Sequence, residues 1–182
     1  MNTCPARRRD TSRGLTLVES LAALAAVTVA LSSALPGLKD VRQKKALEGA
    51  AAQLTTDVHH ARSLAVSQGA PVRLAVQQLT GGACYVIHTG RAGDCACNLL
   101  GTAQCTAGAS ALRSVALPSQ QALRLSANSA SMLFDGQRGT VTPTGSMNLV
   151  TDDGRGLRVV VNIMGRARTC SPGATVRGYP AC

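Results

Sequence analysis

One stretch constrains this chain more than any other. Residues 15–35 contain a single ionisable side chain, Glu19, in an otherwise uncharged and mostly apolar run. As a helix rising about 1.5 Å per residue, such a run covers about 30 Å, the thickness of a bilayer's hydrocarbon core. A carboxylate at that depth costs on the order of 3 kcal/mol even on the permissive insertion scale. The segment therefore reads as a membrane span whose one acid needs a partner. Basic residues bracket it: Arg7, Arg8, Arg9 and Arg13 before, and Lys39, Arg42, Lys44 and Lys45 after.

Helical periodicity continues beyond the basic collar. Leu47, Ala51, Leu54, Val58, Ala61 and Ala65 recur at steps of three and four, which places them on one face, with Asp57, His60 and Ser67 off it. Gly69 followed by Pro71 is a stop signal. Pro36-Gly37 is expected to kink or briefly break the helix, because proline lacks a backbone donor and clashes with the preceding turn.

After Pro71 the period changes from 3.6 to 2. Val72, Leu74 and Val76 alternate with Arg73, Ala75 and Gln77, and "ACYVIHT" follows across Gly81-Gly82. Further short strands are expected at "LRSVAL", "ALRLSA" and "SMLFD", and a hairpin joins "GSMNLV" to "GLRVVVNIM" through Asp152-Asp153-Gly154. Residues 90–108, rich in Gly and Cys, read as loop, as does the tail from Gly165. The chain is thus α+β in three parts: a short arginine-rich leader, 1–14; a long helix, 15–69, with its membrane-spanning half at 15–35; and a β-rich body, 70–182.

Phe134, Tyr85 and Tyr179 are the only aromatics, so the core is aliphatic and no aromatic ligand pocket is expected. The net charge is +10; without residues 1–14, fifteen basic side chains still face eight acids, a balance of +7. Such an excess suits nucleic acid or an acidic membrane surface, or simply solubility. Of seven cysteines, Cys4 lies in the leader, and Cys84, Cys95, Cys97, Cys105, Cys170 and Cys182 form an even set that reads as disulfides in an oxidising compartment. Cys95-Ala96-Cys97 has the wrong spacing for a zinc knuckle.

Enzyme signatures are missing: there is no Gly-x-Ser-x-Gly, no phosphate-cradling loop and no paired carboxylates in a pocket-like setting. No cofactor or metal is expected. His59-His60 reads as a surface pair, Asp152-Asp153-Gly154 as a tight turn rather than a calcium site, and Arg62 as a packing or helix-surface residue.

Gly14-Leu15-Thr16-Leu17-Val18-Glu19 resembles the processing site of type IV prepilins. The resemblance implies that a prepilin peptidase cuts between Gly14 and Leu15 and methylates the new amine. Glu19 becomes the fifth mature residue and pairs with a neighbouring subunit's N-terminal amine. That pairing answers the burial problem, since opposite charges in a low-dielectric bundle offset each other's desolvation. Rival readings are a secretory signal cut within "SSALPG", which is a poor site, and a plain anchor, which leaves Glu19 unexplained.

"ARSLAVSQGAPVRLAV" and "GLRVVVNIMGRARTCSPG…GYPAC" are similar to the helix-to-strand junction and the cysteine-bounded tail of the GspH/FimT group of minor pilins and pseudopilins. This implies a long helix packed on a body of two antiparallel sheets. It also implies other pilins as partners and residence in the inner membrane before passage to a surface pilus. Cys170 is expected to pair with Cys182, while the pairing of Cys84, Cys95, Cys97 and Cys105 stays open. Gly165-Arg166-Ala167-Arg168 matches the Gly-Arg-x-Arg pattern with which FimT-type minor pilins bind DNA in natural transformation. Arg158 and Arg177 are secondary candidates, and Arg138 falls outside the motif. The alternative is a minor pseudopilin of a type II secretion system without a nucleic-acid role.

Overall fold

A computed structural model describes residues 16–118 and 123–182, so Cys4 and the expected cleavage site at Gly14 and Leu15 lie outside the described residues. The chain divides into two compact units, Met1–Asp40 and Val41–Cys182. One helix, α1 (Leu17–Gln68), contributes to both. The helix runs unbroken through Pro36-Gly37.

In the first unit, the Thr16 hydroxyl accepts the Glu19 amide at 3.3 Å, closing the first turn. Thr16-Leu17-Val18-Glu19 is therefore the front half of a capping box, a role for this stretch that the sequence reading did not weigh. Leu17, Val18, Leu21, Leu24, Val27 and Val29 are all more than half exposed. Among the described residues, no helix is long and apolar enough to cross a membrane. The span expected at 15–35 includes Leu15, together with the side chains of Ala30, Leu31 and 33–35, outside that description.

In the second unit the predicted helix stripe is the core face: Leu47, Ala51, Leu54, Val58, Ala61 and Ala65 are each at most 1% exposed. The stripe is wider than expected, since Asp57 is also buried. Gly69 ends the helix in the left-handed region (φ 62°), with the Ala70 amide returning to the Ala65 carbonyl.

Eleven strands follow among the described residues: β1 (Val72–Leu79), β2 (Gly82–His88), β3 (Cys95–Cys97), β4 (Ala103–Cys105), β5 (Ala111–Pro118), β6 (Leu123–Ala127), β7 (Ser131–Phe134), β8 (Val141–Thr142), β9 (Gly145–Thr151), β10 (Gly156–Val161) and β11 (Ala167–Cys170). They build a five-stranded sheet ordered β5-β2-β1-β7-β8 and a four-stranded sheet ordered β11-β10-β9-β6, both antiparallel. The inner faces meet the helix stripe in one core that includes Leu74, Tyr85, Ile87, Phe134, Met147, Leu149, Leu157 and Val159.

Two segments read as loop are strands. Within 90–108, β3 and β4 form a separate ribbon, and its Cys95 and Cys97 cover the outer side of β1 and β2 with Ala75, Cys84 and Val86. Three-residue strands carry too few positions for a period to show; covalent bonds Cys84–Cys97 and Cys95–Cys105 fix them instead. In the tail, β11 pairs along β10. As an edge strand with Arg168 outward, it lacks the apolar alternation that marks its neighbours.

Cys170 is bonded to Cys182. The closed loop folds back on the sheet: buried Ser171 donates to the Gly156 carbonyl and accepts the Val176 amide, and Val176 enters the core at 2% exposure. Closing a loop this short contributes roughly 3 kcal/mol in the chain-entropy account. Peptide mapping without reduction is expected to recover all three links; a free thiol at any of the six positions counts against this framework.

Candidate nucleic-acid interface

The outward face of the four-stranded sheet gathers the arginines. Alternation turns Leu157, Val159 and Val161 of β10 inward, leaving Arg158 and Val160 outside. Register places Arg168 opposite Val160 and Cys170 opposite Arg158, so Arg158 and Arg168 are diagonal neighbours on one face. Arg158 Nε donates to Asn148 Oδ1 at 2.6 Å, which holds the guanidinium across β9. Both arginines, with Val160, Pro180 and Cys182, line an open groove of about 590 Å³ between the sheet and the closing tail.

Arg166 extends this row. The Asn162 amide bonds its carbonyl at 3.1 Å, one step past the Val161–Ala167 pair. Residues two apart on an extended strand share a side, so Arg166 and Arg168 project together. Both are exposed, as is Arg177 in the tail. Arg124 lies on the same face at the far strand, where Asp152 engages it at 3.1 Å.

Gly165 plays a different part from the arginines beside it. It is buried with φ 69°, and a Cβ there would sit 2.6 Å from Arg62 Cδ and 3.1 Å from the Gly139 carbonyl oxygen. Arg62 Nε donates to that same carbonyl at 2.9 Å. The glycine lets the β10–β11 turn lie against the helix and the turn before β8, which aims the strand carrying Arg166 and Arg168. Arg62 is the packing residue that fastens these elements.

Asn162 was not singled out from the sequence. Its Oδ1 accepts the amides of Met164 (3.1 Å) and Arg166 (2.9 Å), and its carbonyl accepts Gly165 N–H at 2.9 Å. The signal was present, since an asparagine three residues before a glycine is turn chemistry. His59 and His60 are exposed on α1. Among the described residues, no group of His, Cys, Asp or Glu is placed to hold a metal ion. Asp153 serves the β9–β10 turn: bonds from Arg155 and Thr151 hold its carboxyl far below the usual carboxylate range.

Residues 50–165 match the family model described as type II transport protein GspH. Two crystal structures of the type IV minor pilin FimU from Pseudomonas aeruginosa are similar to this chain at 20% identity. One, in space group P21, aligns over 72% of this chain and 96% of its own with a TM-score of 0.50. The other, in space group P65, aligns over 71% and 100% with a TM-score of 0.47. No curated protein sequence matches.

Proposed function

Because this chain belongs to the GspH family, we propose that it is a minor pilin, built into a filament at or near its tip, that binds extracellular DNA through the arginine face for natural transformation. The supporting observation is the clustering of Arg158, Arg166 and Arg168 on one outward sheet face, with no acid bonded to any of them among the contacts described. Guanidinium groups suit bidentate phosphate contact. No aromatic lies exposed beside them for base stacking, so affinity comes from charge and ignores sequence.

The N-terminal region supports the filament part. Its exposed apolar side chains need a bilayer or a bundle of neighbouring helices to cover them. In this proposal residues 1–14 are a leader removed by the prepilin peptidase, and 15–35 anchor the chain in the inner membrane until assembly. Mass spectrometry of the protein from its native host is expected to show a mature chain starting at Leu15 with a methylated amine. A chain starting at Met1, or cut after Ala34, contradicts it.

One pair of variants tests the Glu19 carboxylate. Glu19→Gln removes the charge and keeps the length of the side chain; Glu19→Ala removes both, and neither touches the backbone amide that Thr16 accepts. If the carboxylate neutralises a neighbour's amine in the filament, both variants are processed normally and both fail to incorporate, because each leaves an unpaired buried charge. Normal incorporation of Glu19→Gln would refute the pairing of the carboxylate with a neighbour's amine.

A second reading has its own support, since the matching family is described as type II transport. A pseudopilin would keep the fold and the processing but would not bind DNA. Measuring duplex binding of the full-length chain in detergent across salt concentrations separates the two: a steep decline with salt supports the pilin, and no binding supports the pseudopilin.

A further inference from the structure

The β10–β11 turn ends in two apolar residues that the core does not use. Ile163 is 59% exposed and Met164 50%. The turn is nonetheless firmly held: the Asn162 side chain bonds Met164 and Arg166, and the Ile163 carbonyl accepts the Val141 amide at 2.8 Å. A firmly held apolar pair projecting from the surface is available to pack against a partner.

Its surroundings identify the partner by charge. Gly165 and Gly139 lie in backbone contact, clamped by Arg62. Arg166 follows the first glycine and Arg138 precedes the second, so two exposed arginines flank the same end of the body. Asp135, the acid nearest Arg138 in the turn, is committed to the amides of Gln137 and Arg138. Arg138 therefore belongs with the motif in space although the sequence separates them.

Building on the DNA-binding proposal above, we propose that Ile163 and Met164 form a wedge that enters the minor groove of duplex DNA, with Arg138 and Arg166 holding the phosphates on either side. Apolar side chains flanked by arginine are the means by which sequence-blind proteins unstack a base step and bend the duplex. Flexible pyrimidine–purine steps cost least to open, so a mild preference for them follows without base-specific hydrogen bonds.

The test uses the full-length chain in detergent and a duplex carrying 2-aminopurine, whose fluorescence rises on unstacking. The parent protein is expected to brighten the probe. Ile163→Ser/Met164→Ser should weaken binding about tenfold, as expected from losing burial of an apolar side chain, abolish the brightening and leave the salt slope unchanged. Arg138→Gln should instead lower the log–log salt slope by about 0.9. Thermal melting confirms that the variants fold. If the parent binds duplex but the probe stays dark, or the serine variant binds and brightens like the parent, the wedge is refuted while DNA binding stands. If the serine variant binds DNA normally but no longer enters pili, the tip is a contact between pilins and the wedge is likewise refuted. If the parent binds no duplex at all, both proposals fall together.

Discussion

Replacing Arg166 and Arg168 together by glutamine is expected to weaken duplex binding roughly thirtyfold at moderate salt, from the loss of two charge-assisted phosphate contacts. The log–log dependence on salt should become shallower by about 1.8, because each neutralised phosphate contributes about 0.9 to the slope. Folding should be unaffected. Both side chains are exposed, and β11 joins the sheet through its backbone. Glutamine also keeps the length of the stem and its fit to an extended strand. Arg91→Gln, in the loop leading to the disulfide ribbon, is the control for net charge, and it should change affinity little. In cells the double variant should take up less DNA while still assembling pili. Undiminished binding by the double variant would leave the arginines as a solvated sheet edge and favour the pseudopilin.

Gly165→Ala asks a different question of the same motif. The added methyl would press on Arg62 and the Gly139 carbonyl, at a φ that alanine adopts only with strain. It should therefore lower stability and disturb the turn, without removing any charge. A lowered melting temperature with weaker duplex binding and a shallower salt slope is the signature of a glycine that aims the arginines; unchanged binding by the folded variant would limit Gly165 to stabilising the turn.

How much of this was legible in advance depended on what held each element. The helix and the long strands announce themselves because burial imposes a period: Leu47 to Ala65 in threes and fours, β9 and β10 in twos. The ribbon β3–β4 did not, because Cys84, Cys95, Cys97 and Cys105 set its position covalently, and four cysteines allow three pairings that spacing cannot rank. Strand β11 was missed because its inward residues are only Ala167, packed on the core, and Thr169, bonded to Thr55, too few and too small for an apolar alternation to show. The same distinction runs through the site. Arg166 and Arg168 are two apart in the chain and could be read together. Arg158 joins them only through the register of β10 with β11, and Arg138 only through the contact of Gly139 with Gly165. Local motifs are visible in a sequence, whereas proximity made by tertiary packing is not.

Asp57 is the residue for which periodicity misled most, and its loss is expected to cost the most stability. It faces the interior from α1, accepts the Tyr85 hydroxyl at 2.6 Å and pairs with Arg113 Nε at 2.8 Å, tying the helix to β2 and β5. Asp57→Ala strands a buried phenol and unpairs Arg113, whose side chain is 44% exposed and so partly rehydrated. The expected destabilisation is about 3 kcal/mol, at the low end for breaking a buried pair, or a fall in Tm of roughly 10 °C for a domain of this size. Asp57→Asn, which keeps an acceptor for Tyr85, should lose about half as much.

The same contact sets a limit at high pH. Burial first, then the hydrogen bond to Asp57 and its negative charge, push the Tyr85 hydroxyl well above its ordinary value. Above about pH 10 an unfolded tyrosine releases its proton while folded Tyr85 keeps it, so the unfolded state binds fewer protons and stability falls as pH rises. The contribution is fully present below pH 10 and should decline by about 1.4 kcal/mol per pH unit beyond it. Tyr85→Phe should remove that decline, leaving a variant slightly less stable than the parent at pH 7 and relatively more stable at pH 11. Parallel alkaline melting curves for the two proteins would place the phenol outside the interior. Asp57 and Arg62 lie on one helix, yet only Arg62 touches Gly139 and Gly165. Asp57→Ala should therefore bind DNA normally at temperatures where it remains folded.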